Sequence, residues 1–311
     1  MKLLSALLVG LSYATPALPR EAALQVDLQP KIAVRVDLVA LDVEVLDPQG
    51  EPVTGLRREE FTVREDGVQR EISSFAWVSN QSVSLTAVLD TSSVSSVDLS
   101  IAKQSIALLA HLLAHEDEVC LYSYDYRDAY LELDFSTDRP LLVQTLENIG
   151  VPSQNKRGFL KGLFGNPPRA GLGLDLALLN VPRGRNQRKA VLLISNRLQG
   201  LGQGTLDHVL ELGASVFLLS VAGAGDDRDT AARDAGRRRE FARKSGGREF
   251  AMIAAGMPRI CRAIAFALKN HYTITYTTET GAPGRLPRRI EVSVPGKGYT
   301  TYARRSYAIV P

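Results

Sequence analysis

Between residues 83 and 268 the chain alternates short apolar runs with stretches of helical periodicity, and few folds accept that rhythm. Residues 83–89, 119–124, 130–135, 190–194 and 215–221 read as strands, several of them apolar enough to be buried on both faces. Residues 97–113, 141–149, 175–179, 206–212, 229–244 and 260–268 carry apolar side chains at helical spacing. Strand and helix in alternation predict a mainly parallel sheet covered on both faces. Right-handed crossovers make it a doubly wound α/β domain.

The two ends of the chain have another rhythm. Residues 32–46 form a long Val-rich strand pattern, closed by the turn Asp47-Pro48-Gln49-Gly50. Residues 61–64, the pair Asp66-Gly67 and residues 68–77 predict a hairpin. Strand signals return at 271–278, 289–294 and 300–309. Two separate β units of roughly 45 residues each would sit near the lower size limit for a stable core. One antiparallel β-sandwich built from both ends, with the α/β domain inserted into it, is the expected architecture. The boundaries expected are 31–80 and 271–311 for the sandwich and 81–270 for the α/β domain.

Residues 1–17 read as a signal peptide: Met1-Lys2, an apolar run to Ala14, then small residues in Ser12-Tyr13-Ala14 and Thr15-Pro16-Ala17. The run is shorter than the about 20 residues a bilayer needs, and no lipoprotein Cys follows it. The chain is therefore expected to be secreted or periplasmic, with no membrane span after the signal. The 37 Lys and Arg exceed the 34 Asp and Glu by only 3, which gives no reason to expect a nucleic-acid partner. Two Cys and four His exclude a zinc finger or a disulfide-built scaffold. Cys120 and Cys261 each stand among apolar neighbours, as two buried thiols would. A disulfide between them stays open, because sequence gives no distance.

Ligands of open α/β sheets bind beyond the carboxyl ends of the strands, near the point where strand order reverses. The first central strand ends in Leu89-Asp90-Thr91-Ser92-Ser93-Val94-Ser95, and a later one in Ile194-Ser195-Asn196-Arg197. A carboxylate followed by hydroxyls suits a hard cation that prefers oxygen.

On these residues the central domain resembles a von Willebrand factor type A domain, whose metal-ion-dependent adhesion site begins Asp-x-Ser-x-Ser. Residues 34–75, with Asp47-Pro48-Gln49-Gly50 and Glu65-Asp66-Gly67, resemble the start of exported, acidobacterial-type proteins related to that family. Residues 271–307 resemble their end. The resemblance implies a cation held by an Asp, two Ser, a Thr and a second Asp. Asp90 and Ser92 match the first two ligands. Val94 replaces the second Ser, the segment Ala170-Gly171-Leu172-Gly173 has no Thr, and Asn196 replaces the second Asp. The metal site is thus degenerate, and Asp90 and Ser92 are its remnant. The same two residues also suit capping of the first helix.

The expected activity is protein binding without catalysis and without a metal. The contact surface would include Asp90, Ser92, Ser93, Asn196, Phe159 and Phe164. The two Phe side chains belong to Gly158-Phe159-Leu160-Lys161-Gly162-Leu163-Phe164-Gly165, either a partner-binding patch or a segment folded back onto the domain. Two alternatives stand beside this reading: an adhesin holding Mg²⁺ at Asp90 and Ser92, and an enzyme of unrecognised class using Asp90, Asp125 or Asp175. His111 and His115 have zinc-ligand spacing but lack the following Glu, and they continue a solvated stripe with Ser100 and Gln104. The basic stretch Arg237-Arg238-Arg239 with Arg243-Lys244 is interleaved with acids and reads as a solvated helix face. No nucleophile elbow or phosphate loop occurs in the sequence.

Overall fold

The computed structural model describes residues 36–91, 94–125, 128–150, 170–195, 202–220, 228–279 and 288–307. By its contacts the chain divides after Val34, and all of these residues belong to the second unit.

The chain begins with strands β1 (Val36–Leu46), β2 (Thr62–Glu65), β3 (Val68–Arg70) and β4 (Ile72–Val78). The alternating segment follows: β5 (Val83–Asp90), α1 (Ser96–Leu112), β6 (Glu118–Tyr124), β7 (Ala129–Ser136) and α2 (Arg139–Asn148). It continues with α3 (Ala170–Asn180), β8 (Arg188–Ser195), α4 (Gln203–Glu211) and β9 (Ser215–Ser220). Helix α5 (Arg228–Lys244), strand β10 (Glu249–Ala251) and helix α6 (Met257–Lys269) complete it. Strands β11 (His271–Glu279), β12 (Arg288–Ser293), β13 (Thr300–Tyr302) and β14 (Ser306–Tyr307) follow.

The central sheet has the order β10-β9-β8-β5-β6-β7. Its neighbours run parallel except β7, which is antiparallel to β6 at one edge. Because strand side chains alternate between faces, one apolar strand serves two cores. Leu192 and Ile194 of β8 join the core under α1, α2 and α6, with Ile106, Leu142 and Ile264. Val191 and Leu193 join the core under α3, α4 and α5, with Leu178, Val209 and Phe241. Each such fully buried side chain contributes about 1.5–3 kcal/mol. Strand β5 is buried at every position, as expected of a strand covered on both sides.

Two antiparallel sheets flank this unit, ordered β13-β1-β11-β4 and β14-β12-β2-β3. Each combines strands from the two ends of the described chain. In the first, β1 pairs with β11 so that Leu41 opposes Ile274; in the second, β2 pairs with β12 so that Val63 opposes Val292. Leu41, Val43, Phe61, Val63, Tyr272 and Ile290 share a third apolar core. Glu65 is fully buried there and accepts hydrogen bonds from Arg70 (2.7 Å), Thr278 (2.6 Å) and Arg288 (3.0 Å). A buried carboxylate needs such a set.

The expected hairpin is real but shorter. Asp66 and Gly67 have φ of 50° and 81°, the positive pair of a type I′ turn, and join β2 to β3. The run 68–77 then breaks at Glu71. Its second part, β4, pairs with β11 in the other sheet, so one apparent strand serves two. The expected strand 300–309 is likewise split into β13 and β14. Strand β10, three residues pairing parallel to β9, was not anticipated, because three residues carry too little periodicity.

At the amino ends of the central strands, ion pairs made by buried cations join the two kinds of sheet. The inward face of β1 alternates Leu41, Val43 and Val45 with Asp42 and Glu44 on its other face. Asp42 pairs with Arg188 at the start of β8, and with His271 Nε2 at 3.2 Å. Glu44 pairs with Arg248 at 3.0 Å. Asp117 is fully buried and accepts from Lys269 Nζ at 2.6 Å and from the N–H groups of Val83 and Ala114 at 2.8 and 2.7 Å.

Candidate functional site

Strand order reverses between β5 and β8. The chain leaves β5 for α1 on one face of the sheet and, after β8, packs α4 on the other, so the crevice beyond their carboxyl ends is the ligand position of doubly wound folds. Asp90 closes β5, Ser195 closes β8, and Tyr124 closes β6 directly beside Asp90 in the register. These residues are only 1%, 3% and 2% exposed. Ser195 Oγ donates to Asp90 Oδ2 at 2.7 Å. Thr91 turns the chain outward by donating its N–H and its hydroxyl to the Tyr124 carbonyl, at 2.9 and 3.0 Å.

The Tyr124 hydroxyl lies within reach of Asp90 and Ser195, yet among the described residues it makes no well-aligned hydrogen bond. Burial first, and the neighbouring Asp90 charge second, push this phenol well above its ordinary value. It stays protonated and available as a donor. The site is therefore one carboxylate lined by neutral hydroxyls.

The described residues do not supply the oxygen set that Mg²⁺ takes. Val94 is half-buried against the core beneath α1 and offers no oxygen. The Ser95 hydroxyl is committed to the end of α1, accepting from Asp98 N–H at 3.1 Å and donating to Asp98 Oδ2 at 2.7 Å. Ser95, rather than Asp90 or Ser92, is thus the residue that caps the helix. In the segment expected to bring a Thr, a Cβ added at Gly173 would stand 2.6 Å from the Tyr124 ring. The aromatic side chain occupies the place a larger residue would need. Among the described residues no group of three or more His, Cys, Asp or Glu could hold a metal.

Of the sequence-derived surface, the structure places Asp90. Ser92, Ser93, Asn196, Phe159 and Phe164 lie outside the described residues, as do residues 1–17. Sequence reasoning read Ser195 at a strand end without counting it in the site, and it missed Tyr124. The rule that ligands meet strand ends nominates both, since each is the last residue of a central strand. Asp125 is engaged in the β6–β7 turn, where its carboxylate accepts from Asp128 N–H at 2.9 Å. Asp175 lies half-buried in α3.

Other candidates resolve simply. His111 is exposed in the last turn of α1, and His115 is exposed beyond its end, so the two do not share the helix. Cys120 and Cys261 are buried free thiols, pushed up by burial to about 12 and about 11. Within the basic stretch, Arg238 pairs with Glu249 at 2.6 Å and Lys244 with Glu240 at 2.9 Å.

No family model matches the chain, and no curated protein matches it. Among solved structures, the conserved hypothetical protein BatB from Bacteroides thetaiotaomicron is 20% identical over 60% of this chain and 98% of its own, with a TM-score of 0.43. An aerotolerance-related membrane protein from Bacteroides fragilis covers the same shares at 18% identity and a TM-score of 0.43. A von Willebrand factor type A protein from Catenulispora acidiphila aligns with 79% of this chain and 71% of its own, at 10% identity and a TM-score of 0.44. At these values the site has to be read from this chain's own residues.

Proposed function

We propose that the chain is an exported, non-enzymatic protein-binding module of the von Willebrand factor type A kind, working without a bridging cation. Its α/β domain is inserted in a β-sandwich made by the two antiparallel sheets, and residues 1–17 direct export. The observation that carries the metal-free reading is the enclosure of Asp90: its carboxylate is buried, accepts from Ser195 at 2.7 Å and faces the Tyr124 hydroxyl. A carboxylate satisfied by the protein's own hydroxyls gains little from a cation that would first have to displace them. Asp90 then organises the strand ends, and contact with the partner falls to the residues expected from the sequence, Ser92, Ser93, Asn196, Phe159 and Phe164. Buried aromatic anchors commonly carry such interfaces. Among the described residues no helix is long and apolar enough to cross a membrane.

The experiment has two readouts. The first is the melting temperature in EDTA against millimolar Mg²⁺, Mn²⁺ or Ca²⁺, for the wild type and Asp90→Ala. A ligand that binds only the folded chain raises the midpoint. No metal-dependent rise is expected, and a rise that disappears in Asp90→Ala overturns the metal-free reading in favour of the Mg²⁺ adhesin. The second is capture of envelope proteins by the immobilised chain. Capture should survive EDTA and be lost in the double variant Phe159→Ser with Phe164→Ser at an unchanged melting temperature. Undiminished capture by that variant removes the patch from the interface.

A further inference from the structure

Read as sequence, the basic run at the end of α5 is a solvated helix face. The fold gives it company. Arg239, Arg243 and Lys244 of α5 meet Arg289 of β12 and Arg305, next to β14, around a furrow of about 580 Å³ in which Glu240 is the single acid among the described residues. The backbone holds the two sides together, with the Arg305 N–H donating to the Lys244 carbonyl at 3.0 Å. A second furrow of about 490 Å³ shares Arg289 and Arg305 and adds Arg64, Arg304 and Glu291. A chain with a net charge of only +3 thus gathers, among the described residues, seven cations along one recess against two carboxylates.

Arg304 is engaged by the Ala40 carbonyl and by the charge of Asp42, but internal pairing does not use up the others. Glu240 is held by Lys244 at 2.9 Å and Glu291 by Arg289 at 2.6 Å. Among the described residues Arg239, Arg243 and Arg305 form no ion pair, and Arg243 Nε is buried with no hydrogen-bond partner. Guanidinium groups so close together repel one another, and partial burial sharpens the cost. In agreement, Arg305 is pushed below its ordinary value by burial first and by Arg243 and Arg289 next. An anion that entered the furrow would relieve both. Helix α5 ends where the chain turns back into β10, so this furrow lies toward the amino ends of the central strands, away from Asp90.

We propose that this furrow binds an acidic polypeptide segment of a partner protein, its carboxylates held by Arg239, Arg243 and Arg305. Guanidinium forks match carboxylates in a bidentate manner. A peptide suits the recess better than a bilayer surface, because the cations line a furrow rather than a projecting face. The second furrow also offers apolar wall from Val292 and Pro295 for the peptide's uncharged side chains. This site is separate from the switch-point crevice and does not depend on the reading given for Asp90.

The test is fluorescence anisotropy of the full chain with a labelled ten-residue poly-Glu peptide, and poly-Gln as the uncharged control. Binding of poly-Glu alone is expected, weakening as salt rises. The double variant Arg239→Gln with Arg305→Gln changes exposed residues and should weaken binding by about a hundredfold at an unchanged melting temperature, roughly tenfold per lost charge-assisted contact. Arg58→Gln with Arg237→Gln removes the same charge from exposed residues outside the furrow and should leave binding unchanged. Equal losses in the two double variants would reduce the effect to net charge and overturn the site. Inorganic phosphate and vesicles of anionic phospholipid form two further arms. Tighter binding to either than to poly-Glu would overturn the peptide assignment.

Discussion

The two ends of the central sheet bury carboxylates in opposite ways. At the carboxyl ends, Asp90 is met by the hydroxyls of Ser195 and Tyr124. At the amino ends, the buried Asp117 and Glu44 and the more exposed Asp42 are met by the buried Lys269, Arg248 and Arg188. The Glu44 and Asp42 pairs fasten β1 to the α/β unit, the Asp117 pair ties α6 to the start of β6 within that unit, and each of the three cations has been taken out of water. Breaking one such pair leaves a charge stranded, whereas hydroxyls around a carboxylate can turn or be replaced by water at smaller cost. The comparison teaches that the chain ties its sheets together by charge at the amino ends and encloses a single carboxylate among hydroxyls at the carboxyl ends.

The largest effect that would sharpen this contrast is at Asp117. Asp117→Ala strands Lys269 and leaves the N–H groups of Val83 and Ala114 without their acceptor. A loss of about 3–5 kcal/mol is expected, read from the urea midpoint. A loss no greater than that of Asp90→Ala would erase the distinction between the two ends.

Next in size is the pH dependence set by β1. Burial pushes Glu44 up to about 7, against the pull of Arg248 and Arg188. The folded chain then holds this proton more tightly than the unfolded chain does. Glu44 therefore contributes stability that is complete below its unfolded value of about 4.5 and is lost as pH rises through about 7, at up to about 1.4 kcal/mol per pH unit. Two residues earlier the sign reverses. Burial raises Asp42 too, but the His271 hydrogen bond and the charges of Arg188, His271 and Arg304 outweigh it and hold the group at about 2. Its contribution is present above the unfolded value of 3.8 and fades as pH falls through about 2. Glu44→Gln should flatten the fall in melting temperature toward neutral pH and leave the acid limb intact. A fall unchanged by Glu44→Gln would remove Glu44 as its source.

Sequence periodicity was enough for the central unit except β10, because β5, β6, β8 and β9 are apolar on both faces. The mixing of both chain ends in the antiparallel sheets was also legible, since half-sheets would leave edges open. What stayed hidden was pairing. Residues 68–77 look continuous, yet β3 and β4 diverge to different sheets, and no local pattern encodes which partner a strand will choose. The site divides in the same way. Asp90 announced itself as a carboxylate at a strand end. Tyr124 and Ser195 are ordinary residues whose meaning comes from register across three strands. The furrow needed Arg289 and Arg305 brought from about 45 to 65 residues away in sequence to meet α5, a long-range contact that charge patterning does not contain.

The smallest effect tests how the crevice is shaped. Gly173 lies in α3, where replacing glycine by alanine ordinarily gains about 1 kcal/mol of helix stability. Here the new Cβ would fall 2.6 Å from the Tyr124 ring, which is itself buried, and overpacking of this kind costs about 1–3 kcal/mol. The two terms nearly cancel, so Gly173→Ala alone should be slightly destabilising. Background decides the matter: in Tyr124→Gly both the ring and the Cβ that would stand 3.0 Å away are gone, only the helix term remains, and the same substitution should become stabilising. A double-mutant cycle on the urea midpoint reads that change of sign as coupling between residues in contact. Additive effects would mean that Tyr124 does not fill the space beside Gly173, and that a larger residue in the segment expected to hold a Thr has room after all.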